Sequence, residues 1–226
     1  MSRRFLARVG RLIFPLRGHL GIPFLLLALR LCQPENEPPL ALGWWLLSAG
    51  LFMRLWGVAG WVPSRLGGVQ PERLITEDGP YVFTRNPRYL GNLLMGLGGC
   101  CLAGLPQCLA AYFGIWACLH IPIVTYEEMH LEERWGAEYR AYCARVPRFL
   151  GWPRHRLGPQ LGGLRWHHAF RLEMTTIAGW LSLGLFLQAW RLVGLGAPRW
   201  LFWLVAAACL IIWWLLWKLR ELHKAR

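Results

Sequence analysis

Uninterrupted apolar length constrains this chain most. Residues 40–61, 89–105, 108–125, 174–190 and 200–217 are runs in which charged side chains are nearly absent and apolar residues lie on every helical face. Such runs suit helices that cross a bilayer rather than helices with one wet face. Composition agrees: only 16% of residues are charged and 55% are hydrophobic, with 15 tryptophans, against a charged share of about a quarter in soluble domains. The reading is an all-α polytopic membrane bundle of about six transmembrane helices, forming a single membrane domain over residues 1–226.

The first candidate span, residues 20–31, contains Pro23 and Arg30 and is barely long enough when extended to 18–33. Before it, Arg3, Arg4, Arg8, Arg11 and Arg17 alternate with Phe5, Leu6, Val9, Leu12 and Ile13. That pattern predicts an amphipathic helix on the cytoplasmic surface. The segment is basic and then apolar like a signal peptide, but no small-residue cleavage site follows Leu31, so it reads as a retained anchor.

The net charge of +13 would suit nucleic acid in a soluble protein. Here the distribution decides otherwise: 21 of the 25 Lys and Arg residues fall in segments 1–18, 62–88, 126–172 and 218–226. Alternate connections are therefore basic, which places those segments and both termini in the cytoplasm and faces them to anionic lipid. The membrane is then a bacterial inner membrane or an endomembrane. No nucleic-acid motif is present. Most of the seven cysteines lie within apolar runs, and none forms a CxxC pair with nearby histidines, so no metal site is expected.

Two polar blocks interrupt the apolar pattern. The first, residues 77–91, packs Gly79-Pro80-Tyr81 and Arg85-Asn86-Pro87-Arg88-Tyr89-Leu90-Gly91 into a short connection. Pro87 favours an extended residue before it and a helix start after it, so Asn86 falls at an N-cap position. Arg85 and Arg88 suit either lipid phosphates or a bound carboxylate. In the second block, residues 126–149, residues 126–144 read as a helix leaving the membrane, with Leu131, Trp135, Tyr139 and Tyr142 on one stripe. The tight turn at Leu105-Pro106-Gln107 makes the third and fourth runs an antiparallel hairpin, which brings the two blocks to the same membrane face.

Within the blocks, Glu127 and Glu128 suit two roles: pairing with nearby arginines, or holding a cationic ligand through its amine or ribose hydroxyls. Gly96-Leu97-Gly98 suits close helix packing or close approach of a ribose or adenine. Arg54 lies inside an apolar run, where a charge is costly. It faces the bundle to pair with a carboxylate or ligand, or it snorkels to the cytoplasmic end. No carboxylate is expected inside the membrane, and His120 and His130 appear isolated.

Taken together, Gly79-Pro80-Tyr81, Arg85-Asn86-Pro87-x-Tyr89-Leu90-Gly91 and Glu127-Glu128-x-x-Leu131-x-x-x-Trp135-Gly136-x-x-Tyr139-x-x-Tyr142-x-x-x-Val146-Pro147-Arg148 resemble the isoprenylcysteine carboxyl methyltransferase family. The related phospholipid N-methyltransferases share the Gly-x-Gly and Glu-Glu elements. The resemblance covers residues 71–149 and divides the chain into an N-terminal part (1–70), a methyltransferase-like core (71–150) and an added part (151–226). It implies an integral-membrane enzyme that takes S-adenosylmethionine into a cytosol-facing pocket and methylates a lipophilic or small acceptor, a carboxylate, amine or thiol. By motif, Asn86, Tyr89, Leu90, Gly96, Gly98, Glu127 and Glu128 are its cofactor-side residues. Arg85, Tyr139 and Arg148 shape the pocket or orient the acceptor. Three departures stand out. Asn86 replaces a frequent histidine and cannot act as a base, Trp135 replaces phenylalanine, and two spans follow the signature. The alternatives are an NADPH-dependent membrane reductase resembling the sterol reductases, and a membrane scaffold or transporter.

Overall fold

The computed structural model describes residues 2–16, 39–60, 79–150, 164–194 and 196–224. Their regular structure is all helical, with no strand among them. The helices are α1 (Arg3–Ile13), α2 (Leu40–Ala59), α3 (Pro87–Leu102), α4 (Leu109–Arg145), α5 (Trp166–Gly194) and α6 (Arg199–Lys224). Short 3₁₀ turns at Gly79–Val82 and Pro106–Cys108 lead into α3 and α4. The first candidate span, residues 20–31, lies outside the described residues.

Three described stretches are long and apolar enough to cross a membrane: Leu40–Ala59, Pro106–Arg145 and Trp166–Gly194; Arg199–Ile212 is a shorter apolar stretch. At 16 residues, α3 is about 24 Å long, short of the ~30 Å hydrocarbon core. Two boundaries differ from the sequence reading. The fourth run continues without a break into the first part of the helix expected at residues 126–144, as far as Gly136, and α4 denotes the whole kinked stretch. The fifth run begins not at Met174 but eight residues earlier, at Trp166, because Arg165 N donates to Ala59 O (2.9 Å) and starts the helix against the end of α2.

The centre of the bundle is the α2–α3 pair. Gly43, Gly50 and Gly57 recur at intervals of seven along α2 and meet Gly98, Gly91 and Pro87 of the antiparallel α3. A Cβ on Gly50 would fall 2.7 Å from the Gly91 carbonyl oxygen, and one on Gly98 would fall 2.6 Å from the Gly43 carbonyl oxygen. Only glycine lets the two backbones touch in this way, which is how membrane helices associate where lipid competes with any apolar side chain. Leu47, Leu51, Met95 and Leu102 fill the seam, and Ile177 and Trp180 of α5 close it.

The α4 helix bends round this core. Pro122 removes one backbone donor inside it, and Thr125 Oγ1 donates to Ile121 O (2.7 Å) beside the bend. At Gly136 (φ 51°, ψ −119°) the helical path breaks outright. The last turns are redirected so that Tyr139, Tyr142 and Val146 are buried together. α1 is amphipathic as expected, capped by Ser2 Oγ accepting from Phe5 N (3.2 Å). It packs antiparallel along α4, with Gly10 against the backbone of Pro122 and Arg3 bonded to Glu132 (2.7 Å).

Candidate functional site

The two polar blocks meet. Arg85 N donates to Pro147 O (3.0 Å), and Tyr142 OH donates to Tyr81 O (2.8 Å). Between them the Glu128 side chain is only 3% exposed and is held from two sides. Arg85 NH1 lies 3.2 Å from Oε1, and Arg148 NH2 bonds Oε2. Asn86 Nδ2 adds a third, longer donor at 3.5 Å. A carboxylate this deeply buried is tolerable only when paired, and two guanidiniums and an amide supply the pairing.

Asn86 stands at the N-cap position of α3, yet its side chain caps nothing. Its Nδ2 instead donates to the Arg148 carbonyl (3.0 Å), which Thr84 Oγ1 also approaches (3.3 Å). The capping explanation of Asn86 is therefore incorrect. The residue spans the two motif blocks, and Pro87 at N1 makes a side-chain cap less necessary. Arg148 NH1 reaches Thr125 Oγ1 (3.5 Å). Arg85 is also in contact with Cys143 Sγ (2.6 Å), while its Nε is buried with no hydrogen-bond partner. Burial works against the Arg85 charge, but Glu128, Cys143 and Tyr139 outweigh it and hold the group above its ordinary range. Burial, reinforced by Glu127, pushes the Tyr81 phenol up to about 12, so it stays neutral at physiological pH.

Arg85, Asn86, Glu128, Tyr139 and Arg148 thus form one cluster, with Tyr139 buried against Tyr142 (6.1 Å between rings). Glu127, one position along, is partly exposed and points away from Glu128's partners by the ~100° step of a helix. Tyr89 and Leu90 belong to the adjoining apolar cluster with Trp116 and Ile123. Gly96 and Gly98 are not brought to the cluster. Gly96 starts about 15 Å further along α3, and a Cβ there would overlap the Tyr112 phenol of α4. Gly98 lies against α2. Both glycines lie at close helix contacts.

Three features lie beyond the expected set. Thr84 and Thr125 complete the network, and nothing in the sequence marks them. His120, which seemed isolated, is 6% exposed and stacks on Trp116 (5.1 Å, 16°), edge-on to Tyr89 (5.6 Å, 68°). Trp116 in turn meets Phe149, next to Arg148 (5.2 Å, 65°). Finally, Arg54 pairs with a carboxylate: its Nε lies 3.0 Å from Glu173 Oε2, and NH2 lies 2.8 and 2.7 Å from the two oxygens. Its NH1 bonds Asn92 Oδ1, and Arg88 NH2 is 3.6 Å from the same Glu173. Glu173 is 4% exposed because α5 begins before it and carries it into the bundle against α2. Among the described residues no group of His, Cys, Asp or Glu is arranged to hold a metal.

Residues 40–138 match the family model of the phospholipid methyltransferases. This agrees with the resemblance read from the motifs. The match supports a membrane methyltransferase in general terms. It takes in α2, α3 and most of α4, hence Arg54, Arg85, Asn86 and Glu128, and it stops before Tyr139, Arg148 and the α5–α6 hairpin. No curated protein and no solved structure matches the chain.

Proposed function

We propose that this chain is an S-adenosylmethionine-dependent methyltransferase acting on a lipophilic acceptor at the cytoplasmic face of a membrane. One observation carries the reading: the two motif blocks converge on the buried carboxylate of Glu128, through Arg85, Asn86 and Arg148. Such an investment in holding two loops together is what a pre-organised site requires.

The residues present fit the cofactor. Arg85 keeps a buried, unbonded Nε, a donor suited to a carboxylate. Glu127 is a partly exposed carboxylate beside the network, suited to an amine or ribose hydroxyls. Tyr89 and Leu90 offer an apolar wall one turn into α3. When bound, the cofactor supplies a methyl group on a cationic sulfur. Asn86 and Glu127 hold it, Arg85 and Arg148 keep Glu128 from turning into the pocket, and Tyr139 seals the cytoplasmic side. The apolar cluster of Tyr89, Leu90, Leu93 and Trp116 keeps water from the reacting atoms.

The distribution of basic segments supports a cytoplasmic position for this face, from which the soluble cofactor enters, while the acceptor enters from the bilayer. Titration of the purified full chain with S-adenosylmethionine, S-adenosylhomocysteine and NADPH tests the reading. Saturable binding of the first two, lost in Asn86→Ala, supports it; binding of NADPH alone moves the chain to the reductases.

A further inference from the structure

A second basic site lies where α1 packs along α4. Arg4, Arg8 and Arg11 follow the i, i+4, i+7 spacing that sets side chains in one row along a helix. The roll of α1 is fixed by Gly10 against the Pro122 backbone and by the Arg3–Glu132 bond (2.7 Å). The arginine row then forms one wall of a groove of about 270 Å³, and Tyr126, His130 and Glu133 of α4 line the other.

Cations outnumber anions in this groove. Arg4, Arg8 and Arg11 have no ion pair or hydrogen bond among the described residues. Glu133 is the carboxylate of the lining, and it lies toward His130, 3.7 Å from Nδ1. The neighbouring Glu132 is taken by Arg3 and by Arg140 (3.7 Å). Three guanidiniums along a space of this size suit a phosphate, whose oxygens accept from several donors at once.

The same helix says where that phosphate comes from. Phe5 and Leu12 are 52% and 77% exposed and lie about 180° round α1 from the buried Ala7 and Gly10. An exposed apolar face beside a basic row is the pattern of a helix lying in the bilayer interface, its arginines level with the headgroups. RNA or an acidic peptide in the groove would leave Phe5 and Leu12 in water. The groove is also separate from the candidate site. Tyr126, His130 and Glu133 share one face of α4, and Glu128 leaves the helix about 150° away. Its ligand is therefore not the methyl acceptor.

We propose that the α1–α4 groove binds the phosphate of an anionic phospholipid, from the leaflet in which α1 lies, as a lipid ligand that is not methylated. Arg4, Arg8 and Arg11 hold the headgroup, and the acyl chains run beside Phe5 and Leu12.

The test titrates the full chain in neutral detergent with phosphatidylglycerol or with phosphatidylcholine of the same acyl chains, and counts bound lipid by native mass spectrometry. Phosphatidylglycerol should saturate at one molecule per chain and bind about tenfold or more tighter than phosphatidylcholine. The combined variant Arg4→Gln, Arg8→Gln and Arg11→Gln should weaken it about 100-fold, since each arginine near an anionic surface is worth roughly fivefold. Arg8→Gln alone should weaken it about fivefold, so the result does not hinge on the folding of the combined variant. A control variant, Arg134→Gln, Arg171→Gln and Lys218→Gln, removes the same charge from other basic segments and should bind as the wild type does. Hydrogen exchange in residues 3–13 should slow with phosphatidylglycerol and not with inorganic phosphate. Equal binding of the two lipids, or an equal loss in the control variant, overturns the inference in favour of diffuse attraction. Equal slowing by inorganic phosphate overturns it in favour of a site for free phosphate. None of these outcomes bears on methyl transfer, which cofactor titration tests separately.

Discussion

At the scale of single residues, the adjacent glutamates divide the work. Glu128 is buried under two arginines, so Glu128→Ala leaves guanidiniums without their carboxylate and should cost about 3 kcal/mol of stability, the scale of breaking a buried pair. Thermal unfolding in detergent checks it. Glu127 is partly exposed. Glu127→Ala should lower the unfolding temperature less than Glu128→Ala does and remove cofactor binding. A sequence cannot separate these roles, because both residues carry the same chemistry and only the turn of α4 distinguishes their faces. Gly136 makes a sharper case. At φ 51° and ψ −119° it adopts a conformation that L residues avoid, and a Cβ there meets nothing within 4 Å. Gly136→Ala should therefore cost about 1–3 kcal/mol through backbone strain alone. The same circular dichroism melt that serves Glu128 reads this out. The motif includes Gly136, but nothing in the spelling says that it breaks a helix.

At the scale of elements, the apolar runs predicted the helices well and their ends poorly. Run length reports burial in lipid, whereas ends are set by contacts. Trp166 opens α5 because Arg165 bonds the end of α2, and α4 runs on into its polar half as far as Gly136, after which redirected turns pack the tyrosines. The glycine rhythm of 43, 50 and 57 was legible in principle, since its partners 91 and 98 share the spacing; it becomes meaningful only once α2 and α3 are known to be antiparallel. The Arg54–Glu173 pair, 12% and 5% exposed, joins α5 to the part of the chain that matches the family model. Long-range pairing of this kind leaves no local signal. Glu173→Gln strands Arg54 and Arg88 and should loosen α5 by about 3 kcal/mol. Hydrogen exchange along residues 166–180 should rise, while the α2–α3 seam stays protected.

For the whole molecule, the sequence supports a membrane bundle in which two polar blocks meet, and the helices and their contacts bear out the helical bundle and the meeting of the blocks. The sidedness rests on the arginine distribution alone. It predicts that tags at residues 1 and 226 are both cleaved when protease is added to inside-out vesicles and both protected in right-side-out vesicles. The motif letters alone do not show that Gly96 and Gly98 lie at close helix contacts or that His120, set aside as isolated, lies next to Tyr89. The central claim is that the Arg85–Asn86–Glu128–Arg148 network frames a cofactor pocket. It is tested most directly by calorimetric titration of S-adenosylmethionine into the full chain and into Glu127→Ala in nanodiscs. The account predicts saturable one-site binding to the wild type and none to the folded variant. Equal binding to both would contradict the site, and no binding to folded wild-type protein would contradict the function.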